Sequence, residues 1–357
     1  MYKTINILLF LFFVAHSSSA QLDFSLENPI SNTLLTDMDA EVEKGTYENI
    51  TSILIAKDGK LLFEKYYNDA DKNSKHNTRS ATKTIATLVT GIAIDKGYIK
   101  TEKDKVFTYL KHKMPVQNPD PRKEDITIED LLTMSSILEC DDNNSFSRGN
   151  EERMYIIEDW AKFLVDLPVK SYPFGPKPQE LPYGRAMSYC SAGSAAVAEI
   201  VQSAIGGKVD EFLKKNLLEP LEIIDYKLHY TPTGTLNTAG GSEYRSRDFL
   251  KIIQMCLQNG TWNGEQLISS KWLQKATAPK VNAWPDMDYG YLFWLRKYGK
   301  DKGVQCYAMA GNGGNKVMAF PDLNLTVVLT ATNYNNRNAH NYTDELLNKY
   351  IIPVFQK

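Results

Sequence analysis

The chain has 357 residues, a formal net charge of -2 and four cysteines. So balanced a charge, with no basic patch or tail, argues against a nucleic-acid partner. No CxxC or HExxH spacing marks a metal site, and the length suits one large α/β domain or two smaller ones.

In chain order, Met1-Tyr2-Lys3, the apolar run Ile5 to Val14 and the small residues Ser17 to Ala20 read as a secretory signal peptide over 1–20. The apolar core is too short to span a bilayer comfortably, and no later run is long and apolar enough. The mature chain is therefore expected to start near Gln21, to carry no transmembrane anchor, and to be periplasmic or secreted. Four cysteines in an exported chain could form two disulfides in three ways. His76, His112, His229 and His340 are scattered, so neither a metal nor a cofactor is expected.

Thr33 to Lys44 has the periodicity of a short amphipathic helix. Ile50–Ala56 and Leu61–Tyr67, joined through Asp58-Gly59, read as a β-hairpin. Ile85, Leu88, Val89 and Ile92 then recur at helical spacing until Gly97, with Ser80 and Lys83 at the head of the run. A short helix is expected at Val106–Leu110. Another begins near Ile126, with Thr127 as cap. The Asn-rich stretch Cys140 to Glu152 reads as irregular, Tyr155–Leu167 as helical, and Ser171–Tyr183 as a rigid loop with four prolines. Helices follow at Ser191–Ile205, Asp210–Leu218 and from a capping Ser246 to Leu257, with a tight passage at Gly240-Gly241 and a short helix at Trp272. Strands are expected at Tyr289–Leu295, Val304–Met309, Lys316–Phe320 and Leu325–Ala331, and a helix at Asn341–Tyr350.

Strands thus occupy both ends and helices the middle. The fold class predicted is α+β, an α/β sandwich: a largely antiparallel sheet flanked by helices. Residues 21–110 and 235–357 would form the α/β domain, with an inserted helical subdomain at 111–234.

Ser80 is the only serine with lysine three residues on. At a helix start its oxygen would face free N–H groups, and Lys83 would share its face. A desolvated lysine gains neutral character and can accept the serine proton. Tyr189, before the small-residue helix, is a second proton carrier; its phenol pKa is expected to fall beside the lysine cation. The run Ala310-Gly311-Asn312-Gly313-Gly314 lets a ligand approach an edge backbone, so the N–H groups of Ser80 and Asn312 could form an oxyanion hole. No Gly-x-Ser-x-Gly elbow offers a rival nucleophile.

Ser80-Ala81-Thr82-Lys83, Tyr189-Cys190-Ser191 and Met309-Ala310-Gly311 occur in that order. Together they resemble the Ser-x-x-Lys, Tyr-x-Asn and Lys-Thr-Gly (or His-x-Gly) motifs of the serine β-lactamase and penicillin-binding-protein superfamily. The resemblance is to the branch holding class C β-lactamases, DD-peptidases and related esterases, and extends from about Leu34 to Asn333. It implies an exported serine hydrolase that acylates Ser80, with Lys83 and Tyr189 moving protons. Its substrate would be a small ester, amide or short peptide held by Ser191, Met309, Ala310, Gly311 and Asn312. Met309 stands where the family usually has a cation, which favours an esterase or peptidase-like activity over a true β-lactamase. The resemblance also implies a Cys140–Cys190 disulfide, leaving Cys256 and Cys306 as buried thiols. The competing expectation is a catalytically weak or inactive binding protein of the same fold that recognises cell-wall-type ligands; the intact Ser80, Lys83 and Tyr189 weigh against it. Pocket shape would depend on the loops at 143–153, 171–183 and 282–287.

Overall fold

A computed structural model describes residues 22–25, 31–171 and 177–356. The leader at 1–20 and Pro173 and Pro176 of the proline-bearing loop lie outside the described residues.

Helix α1 (Thr33–Glu43) starts where the Asn32 side chain accepts from Leu34 N. Strands β1 (Ile50–Lys57) and β2 (Lys60–Tyr66) form the hairpin, its turn taken by Asp58 and Gly59 at positive φ. After the short strand β3 (Lys75–Asn77) and a 3-10 turn at Arg79–Lys83 comes α2 (Thr84–Asp95). The middle of the chain holds α3 (Val106–Tyr109), α4 (Ile128–Leu132), α5 (Glu151–Met154), α6 (Trp160–Asp166), α7 (Ser191–Ile205) and α8 (Val209–Leu213). Thr127 caps α4 in a capping box with Asp130.

Strands β4 (Tyr226–Lys227) and β5 (Glu243–Arg245) join β3 in a three-stranded sheet. Helix α9 (Ser246–Leu257), the hairpin β6 (Thr261–Trp262) and β7 (Glu265–Gln266), and α10 (Ser270–Ala276) precede the last strands. These are β8 (Val281–Trp284), β9 (Met287–Tyr289), β10 (Trp294–Tyr298), β11 (Val304–Gly311), β12 (Asn315–Phe320) and β13 (Leu325–Ala331). Helix α11 (Ala339–Glu345) and a final helical stretch ending at α12 (Ile352–Phe355) close the fold.

The eight-stranded sheet runs β2-β1-β13-β12-β11-β10-β9-β8 and every pairing is antiparallel. Both ends of the chain therefore build one sheet, as the strand pattern implied. Alternation along β1 and β13 splits the core in two. Ile53, Ile55, Val327 and Leu329 face α1 and the C-terminal helices. Leu54, Ala56 and Val328 face the side of α2, α7 and α9. Each large apolar side chain fully buried in this way contributes roughly 1.5–3 kcal/mol.

Four local expectations are corrected. The α-helix behind Ser80 begins only at Thr84, and the serine itself lies in the 3-10 turn. Ser246 is the first helical residue rather than the cap; its hydroxyl is taken by Ser52 at 2.6 Å. The helix expected from Tyr155 starts at Trp160, where the Asp159 carboxylate accepts from Lys162 N, and a helical turn forms instead at Glu151–Met154. The strand expected at Tyr289–Leu295 is split between β9 and β10, because Tyr291 and Leu292 bend inward and donate to Ala276 O and Leu132 O.

Candidate active site

Ser80 is presented on a strained turn. Arg79 lies in the left-handed region at φ 54°, which costs on the order of 1 kcal/mol or more for a residue with a Cβ. Distant segments hold it there. The Arg79 carbonyl accepts from Gly241 N at 3.2 Å, and its guanidinium lies 4.1 Å over the Tyr334 ring. Tyr334 in turn donates to Asn77 O at 2.8 Å. Gly311, at the end of β11, permits the closest approach: a Cβ there would stand 1.9 Å from Thr78 O and 3.0 Å from Ser80 N.

Lys83 is 2% exposed. Its Nζ donates to Ser80 Oγ at 3.0 Å and also to the Ala239 carbonyl. Burial lowers its pKa to about 8, against the opposing pull of Glu151 and Asp142. A larger share of this amine is therefore neutral than in an exposed lysine. Tyr189 stands just before α7, with its ring 5.3 Å from Lys83 Nζ and a side-chain hydrogen bond to Ser80.

The expected fall in the Tyr189 pKa is not found. Burial raises it, the Ser80 hydrogen bond only partly opposes this, and the Asp142 and Glu151 carboxylates push it further up. Tyr189 is therefore protonated at rest, suited to pass a proton rather than to abstract the first one.

A cleft of ≈ 540 Å³ contains Ser80, Tyr189, Ala310, Gly311 and Asn312 in its lining. Asn312 is fixed by its neighbours. Its side chain exchanges two hydrogen bonds with Asn335, at 2.9 and 2.7 Å, and its carbonyl accepts from Asn315 Nδ2 at 2.8 Å. Two expected substrate contacts are not brought to the cleft. Met309 is fully buried in the apolar core on the α2 side, because strand alternation turns it away from the face of Ala308 and Ala310. Ser191 is also fully buried; its hydroxyl donates to Glu151 Oε2 at 3.0 Å and its N–H to Asp142 Oδ2 at 2.7 Å.

Residues that the sequence reading missed also line it, among them Asp142, Glu151, Trp284, Trp294 and Arg296. Asp142, whose Oδ1 is buried without a partner, has its carboxyl raised to about 6, chiefly by desolvation. Glu151 and Trp284 fall within 143–153 and 282–287, expected as loops; the structure instead puts Glu151 at the start of α5 and Trp284 at the end of β8, short elements that periodicity does not specify. The Cys140–Cys190 disulfide is formed, with an S–S distance of 2.00 Å. Beside it, Asp142 N donates to Tyr189 O at 2.8 Å, so the acidic loop is bound to the segment carrying Tyr189. Cys256 and Cys306 are buried free thiols, raised to about 12 by burial.

At the far end of the cleft, Lys316 Nζ contacts Asp344 at 2.5 Å and Thr343 Oγ1 at 2.6 Å. Arg296 reaches the same carboxylate at 3.0 Å. Among the described residues, no group of three His, Cys, Asp or Glu side chains is arranged to hold a metal ion.

The Beta-lactamase family model matches residues 50–349, and the chain belongs to that family. Solved structures share its fold. One is a penicillin-binding protein homologue from Caulobacter crescentus, with 14% identity, a TM-score of 0.67, and coverage of 90% of this chain and 98% of that one. A D-stereospecific amidohydrolase from a Streptomyces species has 15% identity and a TM-score of 0.63, covering 87% and 97% respectively. EstCE1, a hydrolase with promiscuous acyltransferase activity, has 13% identity and a TM-score of 0.69, covering 89% and 97%. No curated protein matches the chain.

Proposed function

We propose that this protein is an exported serine hydrolase that cleaves a small ester or amide through an acyl-enzyme on Ser80. The observation that carries this reading is the 3.0 Å hydrogen bond from the buried Lys83 Nζ to Ser80 Oγ in an open cleft. Neutral Lys83 takes the Ser80 proton as Oγ attacks the carbonyl carbon. The N–H groups of Ser80 and Asn312 receive the developing oxyanion. Tyr189 passes a proton to the departing alcohol or amine and is re-protonated from Lys83. Water then attacks the Ser80 ester; its proton returns through the same pair and the acid leaves.

Met309 lies in the core, so β11 offers the cleft no cation at that position, and the carboxylates of Asp142 and Glu151 stand near the nucleophile. Both features favour an ester or amide over a β-lactam carboxylate. Residues 1–20 serve as the export signal in this reading, and residues 111–234 as a helical subdomain inserted between 21–110 and 235–357.

A fluorophosphonate probe is expected to label the wild type, and Ser80→Ala to abolish both labelling and p-nitrophenyl ester turnover. A parallel assay of nitrocefin, short acyl esters and D-amino-acid amides ranks the substrates. An unlabelled wild type that turns over none of them would overturn the reading in favour of a binding protein.

A further inference from the structure

One wall of the cleft is a row of near-parallel aromatic rings. Tyr189 and Trp294 lie with centroids 5.9 Å apart and planes 18° apart; Trp294 and Trp284 are 5.3 Å and 13° apart. These separations are those of offset-stacked pairs, in which each ring covers only part of the next. Exposure grows outward along the row, from the half-buried Tyr189 and Trp294 to Trp284, which is 47% exposed. Tyr289 packs edge-on against Trp294 at 4.7 Å and 74° and fixes its plane.

The floor beside this wall is low. Trp294 pairs across the strands with Ala308, and the next residues of β11 that line the cleft are Ala310 and Gly311. No side chain larger than a methyl group rises from those three positions. A flat floor beside a ladder of slipped aromatic faces makes a slot shaped for a planar group.

The row begins at the residue that handles the leaving-group proton. Resting on the reading of Ser80 and Tyr189 above, we propose that the Tyr189–Trp294–Trp284 wall is the leaving-group subsite and selects an aromatic alcohol or amine. In the acylation step Ser80 Oγ bonds to the carbonyl carbon and the bond from that carbon to the leaving oxygen or nitrogen breaks. The serine proton passes through Lys83 and Tyr189 to the leaving atom. The aromatic product departs outward along the wall, and the acyl group stays on Ser80 for water.

The test uses benzyl and cyclohexylmethyl esters of one acid, whose alcohols are close in acidity and size but differ in flatness. Wild type is expected to favour the benzyl ester about three- to tenfold in kcat/KM, the range one stacking contact supplies. Trp284→Leu should bring that ratio close to one, and Trp284→Phe should keep it. Because Trp284 is largely exposed, neither variant threatens the fold. A benzyl-to-cyclohexylmethyl ratio unchanged in Trp284→Leu would overturn the subsite. A binding measurement separates this from failure of the hydrolase reading. Ser80→Ala, titrated with the two esters by tryptophan fluorescence, should bind the benzyl ester more tightly, and this preference should disappear when Trp284→Leu is added. Equal binding of both esters overturns the subsite even in a protein that hydrolyses neither.

Discussion

Lys83 is asked to be both buried and basic, and the two demands have opposite effects on stability. Its folded pKa is about 8 against an ordinary value of 10.5. The unfolded chain thus binds a proton that the folded chain gives up between those values, so stability from this group rises with pH across that window and is lowest below about 8. Lys83→Met should therefore raise the melting temperature by several degrees at pH 7, while abolishing ester turnover; differential scanning calorimetry at pH 7 and 10 checks it, the gain shrinking at the higher pH. The same shift sets the pH profile. At pH 7 only about one Lys83 in ten is neutral, so the acylation rate should climb roughly tenfold between pH 7 and a plateau above 9, measured as the burst with a p-nitrophenyl ester. A profile that is flat over that range would remove Lys83 as the base. The pairing of Ser80 with Lys83 was legible in the sequence because both lie in one turn of chain. The direction of the Tyr189 shift was not. Its neighbours in space include Asp142 and Glu151, brought in by a separate segment, and desolvation outweighs the lowering effect of the Ser80 hydrogen bond.

Among the elements, β11 matters most to the site. Its last residue, Gly311, touches the backbone of the Ser80 turn, and a methyl group there has no room. Gly311→Ala should push the strand end and the turn apart and lower kcat/KM by about a hundredfold, the usual cost of an ångström-scale displacement of reacting groups. A fold that survives, seen in an unchanged circular-dichroism spectrum, would locate the loss in the site. The Cys140–Cys190 bridge joins residues 50 apart in sequence. Replacing both cysteines by serine should cost about 2–4 kcal/mol in urea denaturation and loosen the contact of Asp142 with Tyr189. Strands β1 and β11 to β13 could be read from apolar runs because they are buried and long. The hairpin of β8 and β9 could not: its strands are only four and three residues long, and β8 leaves Asn282 and Trp284 exposed. The outer end of the aromatic wall was hidden with them.

At the scale of the whole molecule, one sheet separates two apolar cores, and a polar clasp binds the C-terminal helices to it. Burial pushes the Asp344 carboxyl up, but the charges of Lys316 and Arg296 more than reverse this; burial lowers Lys316 to about 8. Asp344→Ala leaves Lys316, 3% exposed at its side chain, without its counter-charge. A loss of about 3 kcal/mol is expected, read from the urea midpoint, and it should be much smaller in Asp344→Ala combined with Lys316→Met. The antiparallel sheet was legible from the order of strands along the chain. The clasp was not, since it joins residues on β12, β10 and α11 that no local pattern relates.

The pairing of β1 with β13 has a consequence for biogenesis. Ser52 and Thr330 share a hydrogen bond although 278 residues separate them, so the contact order of the sheet is high and its closure slow. A nascent chain cannot complete the sheet until almost all of it has emerged, and β11, which braces the nucleophile, arrives late as well. An unfinished chain therefore holds Ser80 and Lys83 without the strand that sets their geometry. Synthesis from the N-terminus therefore completes the geometry around Ser80 only when β11 to β13 have joined the sheet.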